Sequence, residues 1–304
     1  SSTGSILFSG VDTAKYIGNL ISINVYPTSR SQGINSFTVA FTSLSATSSS
    51  GTDQLTPPGY AVPAILDSGT TITLLPDDLA ALVFEELGAT PEDELGVVLV
   101  PCALADNSGS LSYGFGGPGG PVVKVAVSDL VIPLVDSMGR SPSFKNGQKA
   151  CQLGLEPAGN LPILFGDTFL RSAYVVYDLA NNRVGLAQTN PNATDSKIVP
   201  FSEYGAPIPN ARSASNEIIV TQTLNDIPKI VSTSKPFGID IVDAQPTPSP
   251  TDLTARSGFT NYSTKESSPH KSLANTRNQS LGFNWIVIFS TSLALMSIST
   301  VLLI

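Results

Sequence analysis

Short apolar runs fill the first two-thirds of the chain, and Gly, Pro, Asn or Ser separates most of them. Ser5 to Val11, Leu20 to Tyr26, Phe37 to Phe41, Val122 to Val127, Leu130 to Leu134 and Ala173 to Leu179 are rich in Val, Ile, Tyr, Phe and Thr. Such runs, bounded by turn formers, predict strands. One stretch has a different period. Leu79, Leu82, Val83 and Leu87 fall at helical spacing, with Pro76 suited to a first turn and Gly88 able to end the helix. Asp77 and Asp78 at its start complement the helix dipole. The pattern predicts an all-β body carrying one or two short helices.

This pattern stops near Thr189-Asn190-Pro191-Asn192. Residues 191–280 are rich in Ser, Thr, Asn and Pro, including Gln245-Pro246-Thr247-Pro248-Ser249-Pro250, and predict a low-complexity stalk or linker of the kind often O-glycosylated. Glu217 to Val220 and Ile239 to Val242 are the apolar patches there that can pair locally with the body. The hydrophobic segment 281–304 closes the chain: Phe283 to Ile304 carries no charge and exceeds the roughly 20 residues that cross a bilayer. Three segments follow: 1–190, 191–280 and 281–304. The sequence opens at Ser1 with neither Met nor leader, as a processed chain or fragment would, so the missing leader is no argument against secretion.

Composition narrows the chemistry. The 304 residues are 41% hydrophobic and 13% charged, with 25 Gly and 23 Pro, too apolar for disorder throughout and too rich in turn formers for a helical bundle. The net charge of −8 lies entirely in residues 1–190, which argues against a nucleic-acid partner. One His and 2 Cys are too few for the usual zinc site, so no metal is expected. A Ser–His or Cys–His nucleophile would have to use His270, which lies in a Ser/Thr-rich segment near the end.

The sharpest motif is Ala64-Ile65-Leu66-Asp67-Ser68-Gly69-Thr70-Thr71. An apolar strand delivers a carboxylate into a tight turn, where Gly69 lets its backbone approach closely and Thr70 can donate a hydroxyl hydrogen bond. Asp-Ser-Gly alone is a common turn sequence; the apolar lead-in and the second Thr set this one apart. A second block follows about a hundred residues later, running from Leu161-Pro162-Ile163-Leu164-Phe165-Gly166-Asp167-Thr168 to Tyr177-Asp178-Leu179. Together with Gly4 to Tyr16 and Asn182-Arg183-Val184-Gly185-Leu186-Ala187, these blocks resemble the C-terminal lobe of a pepsin-like aspartic protease. The opening block and the tail most resemble fungal yapsin and candidapepsin relatives.

That resemblance implies a C-terminal lobe of the bilobal fold over residues 4 to about 188, with Asp67 as the second catalytic aspartate. It implies that Ser68 cross-links the two lobes and that Gly69, Thr70 and Thr71 support the carboxylate or bind the substrate backbone. Leu164-Phe165-Gly166 would cross the active-site loop, whereas Asp167 and Asp178 read as turn caps or partners of Arg171 or Arg183. In this family two carboxylates share a proton, one acting as base toward water while the other donates to the carbonyl, so no cofactor is implied. Only one such motif occurs here. The first aspartate and the flap tyrosine are expected from an N-terminal lobe, as a separate processed chain or as sequence lost by truncation; a self-paired dimer is the least favoured arrangement. Alone, the chain is expected not to hydrolyse peptides.

The family also carries a disulfide at a comparable place, which pairs Cys102 with Cys151; two buried thiols are the alternative. Closing a loop of about 50 residues is worth about 4 kcal/mol in the chain-entropy model, and such a bridge implies an oxidising compartment. Sequons at Asn192, Asn261 and Asn278 all lie beyond the body, in keeping with secretion. The uncharged end, after a polar spacer, reads as a GPI-attachment signal with Ala274 or Asn275 as the site, against an ordinary transmembrane helix as the alternative. The run Gly114 to Pro121 lacks the Gly-Lys-Ser/Thr ending of a phosphate loop and reads as a flexible surface loop. The leading expectation is half of a cell-surface aspartic endopeptidase, acting on secreted or wall polypeptides and held to the membrane by its C-terminal anchor. The rival is a non-catalytic, protease-like binding or wall module.

Overall fold

The structure, a computed structural model, describes residues 4–27, 33–92, 96–135, 140–220 and 253–260. Strands dominate it, as the pattern predicts. The central eight-stranded sheet runs Val122–Ala126, Ser110–Phe115, Thr38–Ser48, Val62–Leu66, Leu164–Phe165, Thr73–Leu75, Leu155–Pro157, with Gly51–Gln54 folded back on Thr38–Ser48. Most neighbours are antiparallel. The exceptions are Leu164–Phe165 beside Val62–Leu66 and Leu155–Pro157 beside Thr73–Leu75, both parallel. Two four-stranded sheets accompany it: Val131–Pro133, Ala150–Leu153, Val97–Pro101, Thr90–Glu92; and Ala173–Asp178, Arg183–Thr189, Tyr16–Asn24, Arg212–Ser213.

Alternation along the strands builds the core. In Val122–Ala126, Val123 and Val125 are buried while Val122 and Lys124 face out, the period of a half-buried strand. Phe41, Tyr113, Phe115, Phe165 and Phe169 meet at centroid spacings of 4.7 to 6.2 Å, many of them edge to face, the arrangement aromatic quadrupoles favour. Phe165 ties this cluster to the crossing beside Asp67.

The predicted helix spans Asp77–Leu87 and buries Leu79, Ala80, Val83, Phe84, Glu86 and Leu87. Pro76 precedes it in an extended conformation, and Gly88 ends it at φ 65° with its N–H bonded to the Phe84 carbonyl, a left-handed ending that glycine adopts without steric cost. Among the described residues there are also two short 3-10 helices, Cys102–Asp106 and Val127–Leu130, and two further short α-helices, Asp167–Leu170 and Arg256–Thr260. The last lies inside the segment read as a stalk.

Three expectations change. Ser5 to Val11 forms a strand only over Gly10–Asp12; Ile6 and Phe8, each 85% exposed, have no neighbouring strand among the described residues. Gly114 to Pro121 is not a free loop but a hairpin end. The Phe115 N–H donates to the Pro121 carbonyl at 3.0 Å and the Gly120 N–H to Gly117 at 2.9 Å. The side chains of Ser215 and Ile218 lie where Cβ atoms on Gly119 and Gly117 would stand. Finally, packed chain runs beyond residue 190: Ile198–Pro200 pairs with Gly10–Asp12 and Arg212–Ser213 with Tyr16–Asn24, while the Ile218 N–H donates to Gly116 at 2.9 Å, the local pairing expected of Glu217 to Val220. The composition change therefore precedes the end of the packed chain, because short apolar contacts such as Ile208 and Val220 suffice to bury polar-rich sequence. Ile239 to Val242, Ala274, Asn275 and the segment 281–304 lie outside the described residues.

Candidate active site

Asp67 leaves the end of the strand Val62–Leu66 at a place where the chain crosses itself. Leu164–Phe165 inserts between that strand and Thr73–Leu75, parallel to the first and antiparallel to the second. The Asp67 N–H donates to the Phe165 carbonyl at 3.1 Å, so the backbone of the aspartate is held by the crossing strand. On the far side, the Asp167 N–H donates to the Thr70 carbonyl at 2.8 Å and the Thr168 N–H to the Thr71 carbonyl at 3.1 Å. The two sequence blocks are thus laced together by main-chain bonds.

The carboxylate is held from two sides. The Gly69 N–H donates to Oδ1 at 2.9 Å, and the Thr70 hydroxyl donates to Oδ2 at 2.6 Å. Donors on both oxygens fix the plane of the group while Asp67 keeps part of its surface open to water. Ser68, Gly69 and Thr71 are exposed around the turn. Beneath it, Thr73 and Thr168 are fully buried, and their hydroxyls join at 3.1 Å with Thr168 donating onward to the Gly154 carbonyl at 2.8 Å.

Gly166 is the tightest point. A Cβ there would stand 2.3 Å from the Ile72 carbonyl oxygen and 2.4 Å from that of Thr70. The Thr70 oxygen already accepts the Asp167 N–H and cannot move without loosening the crossing. Gly166→Ala is expected to cost about 2 kcal/mol, read as a fall of about 6 °C in thermal midpoint for a body of this size. An unchanged midpoint would mean that the crossing relaxes freely.

Phe37 and Tyr177 come together near the Asp67 turn with no local sequence signal that pairs them. Their rings meet at 4.3 Å, and Phe37 also accepts the Leu66 N–H through its carbonyl at 3.2 Å. Tyr177 keeps 38% of its surface open, but loss of water around its phenol pushes the group up to about 12, and the nearby Asp67 carboxylate adds to the rise, so the phenol stays protonated and able to donate through the acid and neutral range. The only available signal was the alternation of Ala173–Asp178, which says which face a residue takes but not what lies opposite. Asp167 and Asp178 have structural surroundings. Arg171 bonds Asp167 through Nε and a terminal nitrogen at 2.9 and 2.6 Å, and Asp178 accepts the Asn181 N–H at 3.1 Å and its side-chain amide at 2.8 Å. Arg183 binds Ser22 and Asn24 and faces Glu217 at 3.7 Å rather than Asp178. Cys102, just after the strand Val97–Pro101, and Cys151, in Ala150–Leu153, form a disulfide with Cα atoms 5.0 Å apart, away from the sheet whose strand Val62–Leu66 leads into Asp67. Asn192 is exposed, whereas Asn261 and Asn278 lie outside the described residues. No group of three or more metal-binding side chains occurs among the described residues.

An aspartate at a doubly crossed β-loop, with a Ser-Gly-Thr turn supplying donors to both oxygens, defines the class, and the comparisons agree. Residues 1–189 match the family of eukaryotic aspartyl proteases, and the chain belongs to that family. It is 39% identical over 219 residues to a probable aspartic-type endopeptidase opsB of Aspergillus oryzae, covering 71% of this chain and 42% of that protein. It is 37% identical over 191 residues to the aspartic proteinase yapsin-3 of Saccharomyces cerevisiae, covering 62% of this chain and 34% of that one. A solved aspartic proteinase from Irpex lacteus is 26% identical, with TM-score 0.44 over 62% of this chain and 52% of its own. The chain spans less than half the length of the curated relatives it matches.

Proposed function

We propose that this chain is the lobe supplying the second catalytic aspartate, Asp67, of a cell-surface aspartic endopeptidase. The observation that carries the reading is the Asp67 carboxylate, part-open to water and held by donors on both oxygens at the strand crossing. A carboxylate so oriented can share a proton with a second one. The ionised member then takes a proton from water while the protonated member donates to the scissile carbonyl. The partner carboxylate comes from the N-terminal lobe, toward which the exposed Ser68 hydroxyl is read as bridging. Thr71, exposed beside the turn, is read as contacting the substrate backbone. Polypeptides are the substrate, and no metal or organic cofactor takes part in this scheme.

Placement at the cell surface rests on three features. The Cys102–Cys151 bridge suits an oxidising compartment. Asn192, followed by Ala193 and Thr194, is exposed for glycosylation. The uncharged segment 281–304 fits a GPI-attachment signal, with 191–280 as the tether.

The protein purified from its native membrane should show pepstatin-sensitive peptidase activity in acid. Thr70→Val should reduce kcat by about tenfold or more, since it removes one charge-assisted hydrogen bond to the carboxylate. Activity insensitive to both pepstatin and Thr70→Val would contradict the reading.

A further inference from the structure

Residues 253–260, inside the polar-rich region, are docked on the body far along the sequence from anything nearby. Phe259 and Ala255 are fully buried. Phe259 fills a socket made possible by Gly109, where a Cβ would stand 2.2 Å from its Cε1. Gly258 lies so close to Ser48 that a Cβ would stand 2.2 Å from the Ser48 Oγ. Methyl groups of Thr254 and Thr260 lie 3.3 and 3.1 Å from where Cβ atoms on Gly51 and Gly88 would be. Four polar contacts complete the seat. The Ser48 hydroxyl donates to the Ala255 carbonyl at 2.6 Å, the Asn107 side-chain amide donates to Gly258 at 2.9 Å, and the Ala255 N–H donates to Asp53 Oδ2 at 2.6 Å. Arg256 faces Glu85 at 3.7 Å. This is a fitted peptide site, glycine on both sides, and it lies outside the catalytic crossing.

Under that seat is Glu86. It is fully buried on the helix Asp77–Leu87, and among the described residues its carboxyl oxygens have no donor to satisfy them; the polar group they face is the Asp53 carboxyl. The charged groups facing it are Asp53 from the hairpin strand Gly51–Gln54 and Arg256 from the docked segment; Glu85, next to it on its own helix, faces Arg256 as well. Asp53 is also the acceptor for the Ala255 N–H. An ionised Glu86 would therefore confront, from a fully buried position, the carboxylate that anchors the segment.

We infer that residues 253–260 form a proton-gated latch, which clips the C-terminal part of this chain to its own body while Glu86 is neutral and lets go when Glu86 ionises. Burial pushes the Glu86 carboxyl up to about 8, with Asp53 adding to the rise and Arg256 opposing it. Undocked, the group regains water and returns toward the ordinary carboxylate range, so docking takes up a proton. A raised acid is most favourable to the docked state below its undocked value and loses that contribution as pH climbs through the docked one. The latch is thus closed in acid and opens between the ordinary carboxylate range and mildly alkaline pH. Any tether running on from residue 260 starts at the body when the latch is closed and only after residue 220 when it is open. The inference stands whether or not the body cleaves peptides.

Hydrogen exchange on the full chain tests it. Amide protection of residues 253–260, relative to a free peptide of the same sequence at each pH, should fall by about tenfold or more between pH 5 and pH 9. Glu86→Gln, neutral at every pH, should hold the protection at pH 9. Phe259→Ala should remove it at both values and leave protection of the helix Asp77–Leu87 largely in place. Protection that is flat from pH 5 to pH 9, or that falls as steeply in Glu86→Gln, would overturn the latch.

Discussion

Asp67→Asn in the assembled enzyme is expected to lower kcat by about a thousandfold or more, the range lost when a positioned acid–base group is removed. The substitution is nearly isosteric. One side-chain oxygen remains to accept the Gly69 N–H now at 2.9 Å from Oδ1, and the Thr70 hydroxyl can rotate to accept from the new amide. The main-chain bond from Asp67 to Phe165 does not involve the side chain. Thermal stability should therefore stay within a degree or so, while the shared proton is lost and pepstatin affinity falls with it. The comparison with Thr70→Val separates the roles: that change leaves the carboxylate in place but free to turn, so activity drops without vanishing. Equal losses in the two variants would mean that Asp67 acts only by holding the loop.

Removing the disulfide is expected to have the largest effect on stability. Cys102 follows the strand Val97–Pro101 and Cys151 lies in Ala150–Leu153, which pair directly. The bond spans a sequence separation of 49 residues. In the folded state the two strands are already held by their ladder, so the bridge acts mainly on the unfolded chain. Replacing both cysteines by Ala should cost about 4 kcal/mol and lower the thermal midpoint by about 10 °C or more. Well below that midpoint, kcat should be unchanged, because neither cysteine is in the sheet that carries Asp67. A loss of activity that precedes unfolding would instead couple this sheet to the site.

The strand content and the one amphipathic helix were legible in the sequence because both depend on local period. Val122–Ala126 alternates and Asp77–Leu87 repeats at helical spacing, and the structure follows each within a residue or two. The Asp67 turn was legible for a related reason: every group that holds the carboxylate lies within three residues of it. What was not legible depends on distant chain. The Phe37–Tyr177 contact joins residues that no local pattern relates. The docking of residues 253–260 is carried by one buried Phe and by glycines whose value is the side chain they lack, features that composition averages away. Ser5 to Val11 was legible as an apolar run, but a strand needs a neighbour, and among the described residues Ile6 and Phe8 have none.

The most direct test of the central claim is pepstatin capture of the protein from its native membrane, followed by intact-mass measurement before and after reduction. This chain should be captured together with a lobe bearing its own Asp-Thr/Ser-Gly sequence, covalently joined or not, and Asp67→Asn should abolish the capture. Failure of the native chain to bind pepstatin, or equal capture of Asp67→Asn, would contradict it.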